Sequence, residues 1–226
     1  MESVKSSPLN RNKRLGVFLS VVLMVGSVSL SLASSSIITF SQELLSKVTS
    51  TWGSQAATRL TSIEAMIENN QHLNDLEKLA LVNQFFNLIP YKTDLAHWGK
   101  KDYWATPFEM LTTFGADCED YSIAKYFILR ELGVPDDYLK ITYVKALNWD
   151  EAHMVLTYAK STTQMPLVLD NLNPEILPAN QRPDLVPVYS FNAEGLWLSK
   201  ERGSGQYVGS SDRIGMWAEM LNRLNQ

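Results

Sequence analysis

One cysteine stands in this chain of 226 residues, Cys118, and its neighbours are Asp117, Glu119 and Asp120. A thiol attacks a carbonyl carbon as thiolate. The start of a helix favours thiolate, through unpaired backbone N–H groups and the positive end of the dipole. Residues 118–132 supply such a helix, with Ile123, Ala124, Phe127, Ile128 and Leu132 in one apolar stripe and Gly133 and Pro135 as stop signals. Asp117 takes the N-cap position and Asp120 the third helical position. Three carboxylates around a thiol oppose its ionisation, so a working nucleophile here needs a compensating cation. A protonated histidine is one source, and Ca²⁺ held by the carboxylates is another. Helix capping and dipole complementarity are the competing uses of the same acidic residues.

A base is sought among His72, His97 and His153. His72 lies in a polar linker and reads as a surface residue. His97 lies in an aromatic loop, where a cleft role stays open. His153 begins an alternating stretch, His-Met-Val-Leu-Thr-Tyr, and the polar loop Ser161-Thr162-Thr163-Gln164 joins it to Leu167–Asp170. A hairpin turning near Thr162 pairs residues whose numbers sum to about 324, which sets His153 within one position of Asp170. A thiol at a helix start, an imidazole to take its proton and a carboxylate to orient the imidazole are the parts of a nucleophilic acyl-transfer site. Singly, each residue has a plainer reading: a small buried hydrophobe, a satisfied strand histidine, a turn former before Asn171. Their joint placement favours the triad. The Cys118 backbone N–H is one oxyanion donor by position, and the Trp104 indole N–H in the 97–106 loop is the candidate for a second.

The elements that must hold these groups follow in order. Residues 36–60 are a polar, partly helical lead-in and 61–70 continue as helix. Asn74 opens another helix, with Glu77 completing a capping box and Pro90 as its end. Residues 91–116 read as an aromatic loop. After the Cys118 helix come strands at 140–147, with Ile141, Tyr143, Lys145 and Leu147 on one face, at 153–158 and at 167–170. Residues 171–187 carry four prolines and read as irregular. Strands at 186–192 and 196–198 and a helix at 212–224 complete the chain. Helices followed by an antiparallel meander define an α+β fold.

The first 35 residues differ from the rest. Lys5, Arg11, Lys13 and Arg14 precede an uncharged stretch, Leu15 to Leu32, closed by Ala-Ser-Ser-Ser. That order is a secretory signal peptide, with a retained N-terminal anchor as the alternative. The expected organisation is therefore 1–35 as export segment and 36–226 as one domain. The remainder carries 16 basic and 23 acidic side chains, a formal charge of −7. An acidic body of this kind disfavours nucleic acid as a partner and suits calcium or a basic protein surface.

Tyr-Trp-Ala-Thr-Pro-Phe-Glu-Met-Leu at 103–111 and Gly-Ala-Asp-Cys-Glu-Asp-Tyr-Ser-Ile-Ala-Lys-Tyr at 115–126 resemble the bacterial transglutaminase-like cysteine proteinases. So do Leu-Gly-Val-Pro at 132–135, His-Met-Val-Leu at 153–156 and Leu-Asp-Asn at 169–171. The resemblance implies a papain-like fold with the nucleophile helix packed on an antiparallel sheet. It implies Cys118, His153 and Asp170 as nucleophile, base and orienting acid. It also implies a Ca²⁺ requirement, with Asp117 and Glu119, and less directly Asp120, among the metal ligands. The implied setting is the periplasm. The implied substrate is the N-terminal region of a large surface adhesin, cut at a di-alanine site so that biofilm disperses. The implied inhibitor is the periplasmic domain of an inner-membrane cyclic di-GMP receptor. Two other functions fit the residues alone: acyl transfer to an amine with the same triad, and a non-catalytic secreted binding module.

Overall fold

A computed structural model describes residues 38–149, 151–199 and 205–225. The expected export segment lies outside the described residues. Two helices lead in, α1 (Gln42–Trp52) and α2 (Ser54–Asn69), parted at Gly53, whose φ of 89° a side chain would resist. They pack on each other, and α2 buries Ala56, Leu60, Ile63 and Ile67. Helix α3 (Asp75–Phe86) begins with the Asn74–Glu77 capping box and ends at Asn87, before Pro90 is reached.

The 91–116 segment is not the loop expected. It holds α4 (Asp94–Trp98) and α5 (Pro107–Thr113). The second is opened by a Thr106–Glu109 capping box with Pro107 in its first turn, signals that aromatic-rich surroundings obscured. Helix α6 (Cys118–Glu131) then runs through the core. Gly133 (φ 85°) closes it, with Val134 N–H on the Leu129 carbonyl and Gly133 N–H on that of Arg130.

Among the described residues, seven antiparallel strands form one sheet in the order β4-β3-β2-β1-β5-β6-β7. They are β1 (Leu139–Ala146), β2 (Glu151–Tyr158), β3 (Leu167–Leu169), β4 (Leu177–Pro178), β5 (Leu185–Phe191), β6 (Leu196–Leu198) and β7 (Gln206–Gly209). The sheet is two meanders sharing β1 as centre, rather than one run in chain order. The chain crosses between them after β4, so the proline-rich 171–187 segment holds a strand and a 3-10 turn. Helix α7 (Gly215–Leu224) follows a short 3-10 turn.

A central strand is covered on both faces. Ile141, Leu156 and Leu169 meet α6 in the main core, together with Phe191 and Trp217. Val144, Val155 and Val168 form a second cluster under Ala179 and Leu185. Burial along β1 therefore does not follow the alternation: Ile141, Thr142, Val144 and Ala146 are buried, while Lys145 and Leu147 are exposed. Each fully buried aliphatic side chain here contributes on the order of 1.5–3 kcal/mol, which fixes α6 and β2 against each other. Among the described residues no helix is long and apolar enough to cross a membrane.

Candidate active site

Cys118 is the first residue of α6, and α6 packs on β2. The β2–β3 ladder stops at Leu156 and Leu169. Beyond that point the Met154 backbone, next to His153 in the chain, acts on the Cys118 thiol, which brings the start of α6 to this stretch of β2. The Sγ–H donates to Glu119 Oε2 at 3.1 Å. Burial first, and then Glu119, push the thiol well above its ordinary pKa, with the Met154 contact acting the other way.

His153 is buried, and its Nε2 lies 2.8 Å from Asp170 Oδ1. Asp170 is the residue after β3, so the pair forms where the strands part. The ladder pairs residues summing to 325 (Tyr158 with Leu167), one more than the hairpin expectation. Asp170 is 1% exposed, yet both its oxygens are occupied. Oδ1 also accepts from Leu172 N–H at 3.0 Å, and Oδ2 accepts from Arg182 Nη2 at 2.8 Å. Burial pushes its pKa up, but the hydrogen bonds and charge of His153, the Leu172 N–H and Arg182 outweigh this and hold it at about 2. Arg182 is fixed in turn by Asp184, with Nε to Oδ1 at 3.0 Å and Nη2 to Oδ2 at 2.8 Å. Lys125, seven residues on from Cys118 along α6, is another buried cation. Burial pushes it down to about 7, and Asp170 pulls it back up.

On the other side of Cys118 a carboxylate oxygen from each of Asp94, Asp117 and Glu119 lies within 4.8 Å of the other two. Asp94 arrives because residue 91 pairs with Ala116 in a parallel bridge and Lys92 N–H donates to the Ala116 carbonyl. Asp94 N–H then donates to Asp117 Oδ2 at 3.2 Å. Asp117 Oδ1 is buried and has no hydrogen-bond partner among the described residues. Burial first, then the charges of Glu119, Asp120 and Asp94, raise Asp117 to about 9. Burial likewise raises Asp94 and Glu119. Crowded, desolvated carboxylates with an acceptor to spare fit a hard divalent cation with oxygen ligands, as calcium is.

Asp120 is not brought into this group. Its Oδ1 accepts from Ala105 N–H at 2.6 Å and its Oδ2 from Asp117 N–H at 3.3 Å, so it ties the 103–106 segment to the start of α6. Trp104 lies in that segment, with its ring stacked on Phe191 and its carbonyl held by Arg223. Among the described residues no contact between its indole N–H and Cys118 is seen. His97 Nε2 is 2.8 Å from Thr113 Oγ1, and its ring stands edge-on to Trp98. Sequence reasoning missed Asp94, Arg182 and Lys125. Lys125 had a legible signal, standing on the same helix as Cys118 among apolar neighbours. Asp94 and Arg182 carried none, since each reaches the site through a distant pairing.

The bacterial transglutaminase-like cysteine proteinase family matches residues 54–200, and the chain belongs to it. It is a cysteine protease of the transglutaminase-like fold. Among solved structures it is similar to Legionella pneumophila LapG, at 40% identity over 81% of this chain and 97% of that one, with a TM-score of 0.70. The EGTA-treated form of LapG matches at 41% identity over 81% and 97% of the two chains (TM-score 0.72). The calcium-bound form matches at 41% over 82% and 99% (TM-score 0.69). A search of curated proteins found no match.

Proposed function

We propose that the protein is a calcium-dependent periplasmic endopeptidase whose nucleophile, base and orienting acid are Cys118, His153 and Asp170. The observation that carries the reading is the His153–Asp170 hydrogen bond, on β2 next to the Met154 backbone that acts on the Cys118 thiol. An ionised Asp170 accepts the proton of Nε2, so Nδ1 is the nitrogen left to act as base. His153 takes the thiol proton and the sulfur bonds to the scissile carbonyl carbon. The Cys118 backbone N–H, free at the helix start, faces the developing oxyanion. The imidazolium returns its proton to the departing amine. Water, deprotonated by His153, then releases the acyl group and regenerates the thiol. Asp94, Asp117 and Glu119 are the residues that would hold calcium, which supplies positive charge beside the nucleophile.

The substrate is the N-terminal region of a large surface adhesin, cut at a di-alanine site to free the adhesin and disperse biofilm. The restraint is the periplasmic domain of an inner-membrane cyclic di-GMP receptor. Membership of the family and the likeness to LapG support both. The test is digestion of a candidate adhesin N-terminus by wild type and Cys118→Ala, in calcium and in EGTA. Cleavage by the wild type in calcium alone is expected. Cleavage by Cys118→Ala sinks the mechanism, and full activity in EGTA sinks the metal requirement.

A further inference from the structure

Asp170 is held from three directions. Asn87 Nδ2, just past α3, donates to its backbone carbonyl at 2.9 Å, and Leu172 N–H, in its own turn, donates to Oδ1 at 3.0 Å. Oδ2 has one partner among the described residues, Arg182 Nη2 at 2.8 Å. Arg182 stands on the crossover between β4 and β5 and is 5% exposed. Asp184 grips its guanidinium, with Nε to Oδ1 at 3.0 Å and Nη2 to Oδ2 at 2.8 Å. The Asp184 carbonyl accepts from Leu147 N–H at 2.8 Å, which ties that grip to the residue after β1. A chain of bonds thus runs from the end of β1 through Asp184, Arg182 and Asp170 to His153.

Stability alone does not account for this chain. Taking such charges out of water is costly, and an apolar filling of the same volume is commonly as stable or more so. Arg182 Nη1 is also buried without a hydrogen-bond partner among the described residues, which adds to the cost. What the chain supplies is direction. The last torsion of an aspartate is broad, so a carboxylate anchored at one oxygen swings easily. Arg182 on Oδ2 fixes the carboxylate plane, and with it the line along which Nε2 meets Oδ1. Lys125 adds positive charge from α6 but makes no hydrogen bond to Asp170 among the described residues, so it gives no direction. The guanidinium also decides a proton. A buried carboxyl without its cation takes up a proton more readily, and a protonated Asp170 would donate to Nε2. The ring proton would then sit on Nδ1, the nitrogen that has to receive the thiol proton.

We propose that Arg182, gripped by Asp184, is a positioning residue of the catalytic centre, acting through Asp170 to fix the orientation and tautomer of His153. The assignment rests on the endopeptidase reading, since it needs Cys118 and His153 to work as nucleophile and base.

The test uses the full chain in calcium and needs no substrate. Alkylation of Cys118 by iodoacetamide at pH 7 reports the base, and nitrogen-15 resonances of the histidine rings report the tautomer. Arg182→Met should slow alkylation about a hundredfold and move the His153 ring proton from Nε2 to Nδ1. Arg182→Lys keeps the charge and loses the fork, so it should keep the Nε2 proton and react within about tenfold of wild type. Asp184→Asn, which loosens the grip from its partly exposed side, should slow alkylation about threefold and carries the test should Arg182→Met fail to fold. In an Asp170→Asn background, adding Arg182→Met should change the rate by less than about twofold, because the route through Asp170 is already cut. A wild-type rate in Arg182→Met or in Asp184→Asn, a ring proton still on Nε2 in Arg182→Met, or a further large loss in the double variant each overturns the positioning role alone. Wild-type Cys118 reacting no faster than a free thiol overturns the endopeptidase reading itself.

Discussion

Two buried acidic centres flank the nucleophile, and they are finished to different degrees. Asp170 has His153, Leu172 N–H and Arg182 on its two oxygens and is held at about 2. Asp117 has a spare buried oxygen, two acidic neighbours within 4.8 Å, and a pKa pushed up to about 9. The same chemical group is thus completed by protein on one side and left open on the other. A centre completed by protein orients its partner at all times. A centre that needs an outside cation makes the site conditional.

Removing what both centres serve gives the largest effect. Cys118→Ala should lower adhesin cleavage by about a thousandfold or more, with an unchanged circular dichroism spectrum. Next comes the open centre. Asp94→Asn should raise the calcium concentration for half-maximal activity roughly tenfold, read by calorimetric titration as well. Asp120→Asn should lower thermal stability and shift calcium affinity much less than Asp94→Asn, because its oxygens hold Ala105 and Asp117 N–H groups and it reaches the cluster only through its charge. Equal calcium defects in the two variants would merge the roles separated here.

On the closed side, Arg182→Met should cost about 3 kcal/mol in denaturant unfolding, since it leaves Asp170 buried without its cation. The sign of the pH dependence follows from the depressed pKa. Asp170 contributes stability above the ordinary carboxylate range, and that contribution is lost as pH falls from about 4 toward about 2. Acid unfolding of Arg182→Met should therefore begin at higher pH than in the wild type. The smallest expected effect is at Lys125. Its pKa is lowered, so the unfolded chain binds more protons between about 7 and 10.5 and the wild type gains stability across that window. Lys125→Met should stabilise by about 1–2 kcal/mol at pH 6, with the gain shrinking as pH rises. A gain that grows with pH would refute the assignment.

Much of this was legible because it is local. The α6 stripe, its Asp117 cap and its Gly133 stop lie within 17 residues of sequence, and the His153–Asp170 pair depends only on one hairpin turn. The one-residue slip in that hairpin did no harm, because the two side chains meet just past the end of the ladder. The open centre was half legible. Asp117 and Glu119 flank the cysteine, but Asp94 joins them through the bridge between residues 91 and 116, which no periodicity announces. Asp120 has the right charge and spacing for a ligand, and in the structure each of its oxygens accepts a backbone N–H while Asp94 takes the third place in the group. Arg182 lies between Pro178 and Pro183, where prolines hide both the crossover and the strand that follows.

One cysteine also means that no disulfide can form within the chain. The carboxylate cluster offers a different cross-link, since Asp94 and Asp117 are 23 positions apart. An ion shared between them would close a loop holding Trp104 and all of α5. Closing a loop of that length removes on the order of 3 kcal/mol of freedom from the unfolded chain when a covalent bridge does it. An ionic staple acts in the same direction but is reversible, and its strength grows with the logarithm of calcium concentration. Resistance to unfolding and to degradation would then track the ion content of the surroundings, giving the protein a lifetime that calcium sets.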